Sequence, residues 1–186
     1  MSSSTDIDTL AALYLFQTVP RPSLQALLQV APALSFAAAQ PVFRQGEPAD
    51  TALLLLSGRL SVEVQEGGAS RAVGEIHPGE VAGETALFLP GAHRSATVRA
   101  REASRALVLR PEVMDLAGQN PAVVLIEQHL LGTLSRRIRG TNLAIQGVWK
   151  AEAPAAAPLP AAGPAAAPPP PPATLRGRLA ALFGAR

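Results

Sequence analysis

Apolar positions fall into three regimes along the chain. Between about Thr9 and Ala38 they recur at helical spacing, with Leu10, Leu13, Leu15 and Phe16 followed by Leu24, Leu27 and Leu28. Pro20 and Pro22 interrupt that run, and because proline lacks a backbone N–H and clashes with the preceding turn, the pattern predicts two short helices. From Pro41 to about Leu109 the period drops to two. Leu60-Ser61-Val62-Glu63-Val64 and Ala96-Thr97-Val98-Arg99-Ala100 alternate, and Gly46, Gly58, Gly67-Gly68, Gly74, Gly79, Gly83 and Gly91 cut the stretch into short strands. Gly67-Gly68 sits where a hairpin turn belongs. Short strands at this spacing predict a small all-β barrel or sandwich. After Pro111 the helical period returns, and Pro121 to about Gln146 carries Val124, Leu125, Leu130, Leu131, Leu134, Ile138 and Leu143. That stripe is long enough to pack on the barrel or on a second subunit, which makes residues 121–146 a candidate homodimer element.

The pattern then stops. Residues 151–173 are almost only Ala and Pro, a composition that buries no core and favours extended polyproline geometry, so a disordered, semi-rigid linker is expected over 149–173. Beyond it, TLRGRLAALFGAR at 174–186 places Leu175, Leu179, Leu182 and Phe183 at helical spacing behind Thr174 as an N-cap. Thirteen residues are too few for a stable free helix. This amphipathic peptide is expected to order on a protein partner. The reading is one domain over 9–148, a linker over 149–173 and a docking peptide over 174–186, which suits a chain of 186 residues.

Composition narrows the function. With five Phe, one Tyr and one Trp, the core must rely on Leu and Val. A net charge of +2 is too mild to argue for nucleic acid. Cysteine is absent, which excludes disulfides, thiolate catalysis and thiolate metal sites. His77, His93 and His129 are scattered without carboxylates at ligand spacing, so no metal is expected. Met1 to Asp8 lacks the basic and apolar regions of a signal peptide, and no run approaches the roughly 18 apolar residues of a membrane span. A cytoplasmic protein is the expectation.

The chemistry concentrates between Gly79 and Ala100. Gly83-Glu84-Thr85-Ala86-Leu87 is expected to form one helical turn directly after a strand, and unpaired N–H groups at such a start attract an anion. Arg94 lies ten residues beyond Glu84, immediately before the next strand, where its guanidinium can turn back and take two phosphate oxygens. An ionised Glu84 only accepts hydrogen bonds, which suits a sugar hydroxyl and repels a bare phosphate. Alone, this pair would read as a surface ion pair worth at most about 1 kcal/mol. Together with the anion seat it describes a ligand with a negative end and a hydroxyl end.

Gly83, Glu84, Ala86 and Leu87, followed after a loop by Arg94, Ser95, Ala96, Thr97, Val98 and Ala100, fill a pattern that resembles the phosphate-binding cassette of cyclic-nucleotide-binding domains. Phe43 to Asp50 and the Leu56-Ser57-Gly58 strand entry are similar to that family's first turns, and the resemblance spans roughly residues 13–146. It implies a mainly β fold: an antiparallel β-roll of jelly-roll type with N-terminal helices and a C-terminal lid helix. It also implies roles. Glu84 would hold the ribose 2′-hydroxyl and Arg94 the cyclic phosphate, with Gly83, Thr85, Ala86, Ser95 and Ala96 beside them. In the bacterial regulators an Arg-Arg pair precedes a threonine that meets adenine, and Arg136-Arg137 and Thr141 occupy comparable places. The implied ligand is cAMP, with cGMP second, and no other cofactor. The linker begins where relatives place a helix-turn-helix, so DNA is not expected as a partner. With no nucleophile and base pair in the chain, a sensor rather than an enzyme is expected. The competing expectation is an assembly or adaptor protein with a degenerate nucleotide site, docking through 174–186.

Overall fold

The computed structural model describes residues 2–116 and 118–152. The chain divides into two compact units, Met1–Thr141 and Asn142–Arg186. The expected peptide at 174–186 and residues 153–173 of the expected linker lie outside the described residues, while 149–152, assigned to that linker from composition, are the end of a helix.

Helix α1 (Ser2–Ala12) leads through a single 3-10 turn at Tyr14–Phe16 to α2 (Arg21–Val30), so helix precedes and follows the Pro20 break as the spacing predicts. Pro22 lies in the first turn of α2, where a missing N–H costs nothing. The expectation of helix as far as Ala38 is corrected by the structure. Pro32 pushes Ala31 into extended geometry, and Ala33–Phe36 form β1, paired with β8 from Ala33↔Leu107 to Phe36↔Ser104. Pairing with a strand seventy residues away leaves no local period to read.

The glycine-punctuated region folds as strands β2 (Pro41–Phe43), β3 (Ala52–Ser57), β4 (Leu60–Glu66), β5 (Ala69–Ile76), β6 (Val81–Ala82), β7 (Thr97–Ala100) and β8 (Ser104–Leu109). They form two four-stranded antiparallel sheets, ordered β1-β8-β3-β6 and β2-β7-β4-β5. The β4–β5 hairpin turns at Gly67–Gly68, whose φ values of 58° and 83° suit a tight turn that a side chain would strain. Short α3 (Pro111–Met114) and long α4 (Pro121–Glu152) complete the order, with Asn120 capping α4: its Oδ1 accepts from the Ala122 N–H at 2.9 Å.

The first sheet lies between the helices and the second sheet, and β3 and β8 are apolar on both faces for that reason. Leu54, Leu56, Leu107 and Leu109 pack with Leu10, Phe16, Leu24, Leu27, Val123 and Ile126. Leu53, Leu55, Ala106 and Val108 pack with Phe43, Leu60 and Val98. The predicted stripe of α4 therefore splits: Leu130 enters the core beside Val123 and Ile126, which the stripe did not include, while Leu131 is 53% and Ile138 61% exposed. Among the described residues, no helix is long and apolar enough to cross a membrane.

Candidate functional site

Gly83 follows strand β6, takes the left-handed conformation (φ 74°, ψ 26°) and starts the 3-10 turn Glu84–Leu87, the single turn expected from the sequence. A Cβ at Gly83 would stand 2.4 Å from Arg94 Nη1 and 3.0 Å from Phe43 Cε2. Glycine is required there on both counts: by its backbone and by the close approach of a guanidinium. The loop from Leu89 returns along the β2–β3 turn, where the Arg94 N–H donates to Glu47 O at 2.8 Å and the Gly46 N–H to Arg94 O at 2.8 Å. Two backbone bonds thus fix where the Arg94 side chain starts.

Arg94 then folds inward and is only 8% exposed. Its Nη1 donates to Thr51 O at 2.7 Å, its Nη2 to Thr51 Oγ1 at 3.1 Å, and its Cζ stands 3.5 Å from the centroid of the Phe43 ring. All three partners are neutral. Among the described residues no carboxylate lies within 4.0 Å of this cation. Burial lowers its pKa from the ordinary guanidinium value, opposed at longer range by Asp50 and Glu47. A buried charge without an ion-pair partner is costly, and an anion brought beside it relieves that cost.

Arg94 and Glu84 both line one cavity of about 460 Å³, a volume within the range of small-molecule sites. Glu84 is 5% exposed, and its Oε1 accepts from Nη1 of Arg137 on α4. Oε2 has no partner among the described residues. The cavity is chemically divided. Glu84, Thr85, Arg94 and Ser95 supply its polar wall, and Val62, Val64 and Val73 supply an apolar one. Val73 reaches the wall through a bulge: Val62 pairs with Gly74 and Glu63 with Ala72, which leaves Val73 unpaired and 55% exposed.

Of the residues singled out from the sequence, Gly83, Glu84, Thr85, Ala86, Arg94, Ser95 and Ala96 all line this cavity. The Ala86 N–H already donates to Gly83 O at 3.2 Å. Thr141 does not line it; exposed on α4, its hydroxyl donates to Arg137 O at 3.0 Å. Two contributors, Phe43 and Thr51, have no site role in the sequence reading, and a third, Arg137, enters it only as one of the pair that precedes Thr141. Phe43 lies in a turn already similar to the family pattern. Thr51 gave no signal, because it works through its carbonyl as much as its hydroxyl. Arg137 sits in an arginine cluster whose ordinary reading is a solvated helix face. A smaller hollow of about 290 Å³ adjoins the first across Glu84 and Arg137, and holds Tyr14, Glu80, His129 and Arg136 on its walls.

The chain is similar to several known proteins. Over 136 residues the chain is 26% identical to a CRP-like cAMP-activated global transcriptional regulator of Mycobacterium tuberculosis, a match covering 73% of this chain and 59% of that protein. The chain therefore spans about three fifths of the curated relative's length. Among solved structures, the catabolite activator protein of Thermus thermophilus superposes with a TM-score of 0.60 at 28% identity, over 72% of this chain and 62% of that one. A cAMP-binding acyltransferase from Mycobacterium smegmatis superposes with a TM-score of 0.54 at 32% identity, over 61% of this chain but only 35% of the enzyme. Residues 33–117 match the model of the cyclic nucleotide-binding domain, a span that holds both sheets, the cavity's polar wall and the buried arginine.

Proposed function

We propose that this chain is a sensor for a cyclic nucleotide, cAMP ahead of cGMP, and that it reports occupancy to a protein partner through α4. The observation that carries the reading is the buried Arg94, satisfied only by neutral groups on the wall of a mononucleotide-sized cavity. A cyclic phosphate supplies the missing charge with a single negative unit, and Ser95 and the turn at Glu84 offer further donors beside it. Glu84 Oε2 accepts from a ribose hydroxyl, while the purine lies against Val62, Val64 and Val73. The preference for adenine draws support from the cAMP-activated and cAMP-binding relatives.

Arg137 connects this site to α4. Because the guanidinium holds Glu84 Oε1, any ligand that draws on the same carboxylate changes how firmly α4 is held, and differential binding to two α4 positions shifts the population between them. Thr141, one turn further on, meets the base only in the position where α4 closes over the cavity. The exposed Leu131 and Ile138, with Leu134 between them, follow the 3-4 spacing of a helix–helix seam, and we read them as the contact between two copies of the chain. Among the described residues no hydrogen bond joins a hydroxyl of the cavity wall to a base, and we read the chain as a sensor rather than a catalyst, with its output passed to a protein.

Calorimetric titration with cAMP and cGMP, beside thermal melts of wild type, Arg94→Ala and Glu84→Ala, tests the reading. Ligand at a hundred times its dissociation constant stabilises wild type by about 2.7 kcal/mol, and each variant loses most of that gain. Absence of binding by both nucleotides at high micromolar concentration would sink the sensing function.

A further inference from the structure

The position of Arg94 is set by residues at the ends of three separate strands. Phe43 ends β2, Thr51 precedes β3, and Gly83 follows β6, and these three surround one guanidinium. An arginine has five N–H donors in a planar group with two usable edges. Thr51 takes the end edge, accepting from Nη1 with its carbonyl and from Nη2 with its hydroxyl. Phe43 covers one flat face with its ring centroid 3.5 Å from Cζ. What remains is the side edge, formed by Nε and the second N–H of Nη2, which is the fork a phosphate takes bidentately.

We propose that Phe43 and Thr51 are positioning residues that lock Arg94 with this side edge as its only open fork, so that the site takes a phosphodiester, one anionic group met by one fork. The inference rests on reading Arg94 as the anion-binding group. It assigns roles to two residues outside the Gly83–Ala100 cassette. The aromatic face is the right surface for this task. It attracts a cation without neutralising it, so the charge stays available to the ligand, whereas a carboxylate in the same place would compete with the phosphate. Thr51 serves in the same way, with neutral oxygens that orient the fork and leave its charge intact. Gly83 leaves room for the arrangement, since any side chain there would collide with Nη1.

Two measurements on the full chain test the proposal. The first is the side-chain Nε–Hε resonance of Arg94 by NMR without nucleotide: stacking on Phe43 shifts it upfield of the other arginines in wild type, Phe43→Leu returns it to their range, and Phe43→Tyr keeps it shifted. The second is titration with cAMP, in which Phe43→Leu binds about tenfold more weakly, Thr51→Val severalfold more weakly, and Phe43→Tyr within about twofold of wild type. A merely structural role for Phe43 would lower the melting temperature of Phe43→Leu without moving the resonance or the affinity. An unshifted resonance in wild type, or wild-type affinity in Phe43→Leu, overturns the proposal. If Phe43→Leu does not fold, the wild-type resonance and Thr51→Val decide it. Failure of wild type to bind either nucleotide ends the sensing function instead, and the resonance still decides whether the ring and Thr51 hold the guanidinium.

Discussion

His129 shows how a residue with no role in the sequence reading acquires one from its neighbours. It lies on α4 with Nδ1 3.3 Å from Tyr14 Oη, and Tyr14 Oη is also 3.4 Å from Gly79 O, so one phenol joins the N-terminal helices, the turn before β6 and the long helix. Burial first, and the charge of Arg136 second, lower the His129 pKa below the ordinary imidazole value, with Glu80 acting in the opposite direction. The unfolded chain therefore takes up this proton before the folded one. Stability from neutral His129 is present above the unfolded value of about 6.5, and is lost as pH falls to and through the lower folded value. Melting temperatures from pH 7.5 to pH 5 should fall more steeply for wild type than for His129→Gln, and parallel curves would refute the assignment. At this scale the sequence was informative where chemistry is local. Glu84 and Arg94 stood out because their spacing around a glycine and a turn is a local pattern, whereas Phe43, Thr51 and Arg137 meet them only through folding.

Each element owes its place to a different kind of contact. Helix α1 is held to the first sheet by a paired contact: Arg105 Nε and Nη2 donate to Asp6 Oδ1 and Oδ2 at 2.6 and 2.7 Å, while Nη1 donates to Ser35 Oγ at 3.0 Å. Asp6 is buried, so Asp6→Asn leaves the guanidinium facing a neutral amide and should cost about 2 kcal/mol, read as a lower urea midpoint. The Arg21–Asp8 pair, with both side chains exposed, is the internal control: Asp8→Asn should change stability by no more than about 0.5 kcal/mol. Equal effects at the two positions would remove the distinction. The helices on either side of Pro20, the Gly67–Gly68 hairpin and the turn after Gly83 were legible because prolines, glycines and apolar periods act within a few residues. The local pattern points to helix at β1 because Ala33–Phe36 carries no alternation of its own and becomes a strand only against β8. The Val73 bulge was equally hidden, since a one-residue offset between β4 and β5 belongs to the pair and not to either strand.

For the whole molecule, the first prediction concerns subunit number. If Leu131, Leu134 and Ile138 form a seam between copies, wild type should sediment as a dimer and Ile138→Asp as a monomer that still melts cooperatively; a monomeric wild type would remove the seam. The wider division between sequence and structure follows the range of the forces involved. The sequence alone determined that short strands are bracketed by helices, that the residues between Gly83 and Ala100 resemble a phosphate-binding cassette, and that composition changes after Lys150, since all of these depend on residue type and spacing along the chain. Tertiary structure decided that Arg94 is buried without a carboxylate, that Glu84 belongs to α4 through Arg137, and that the α4 stripe divides between core and solvent. Those outcomes depend on desolvation and on partners far apart in sequence, and neither exists until the sheets and helices have packed.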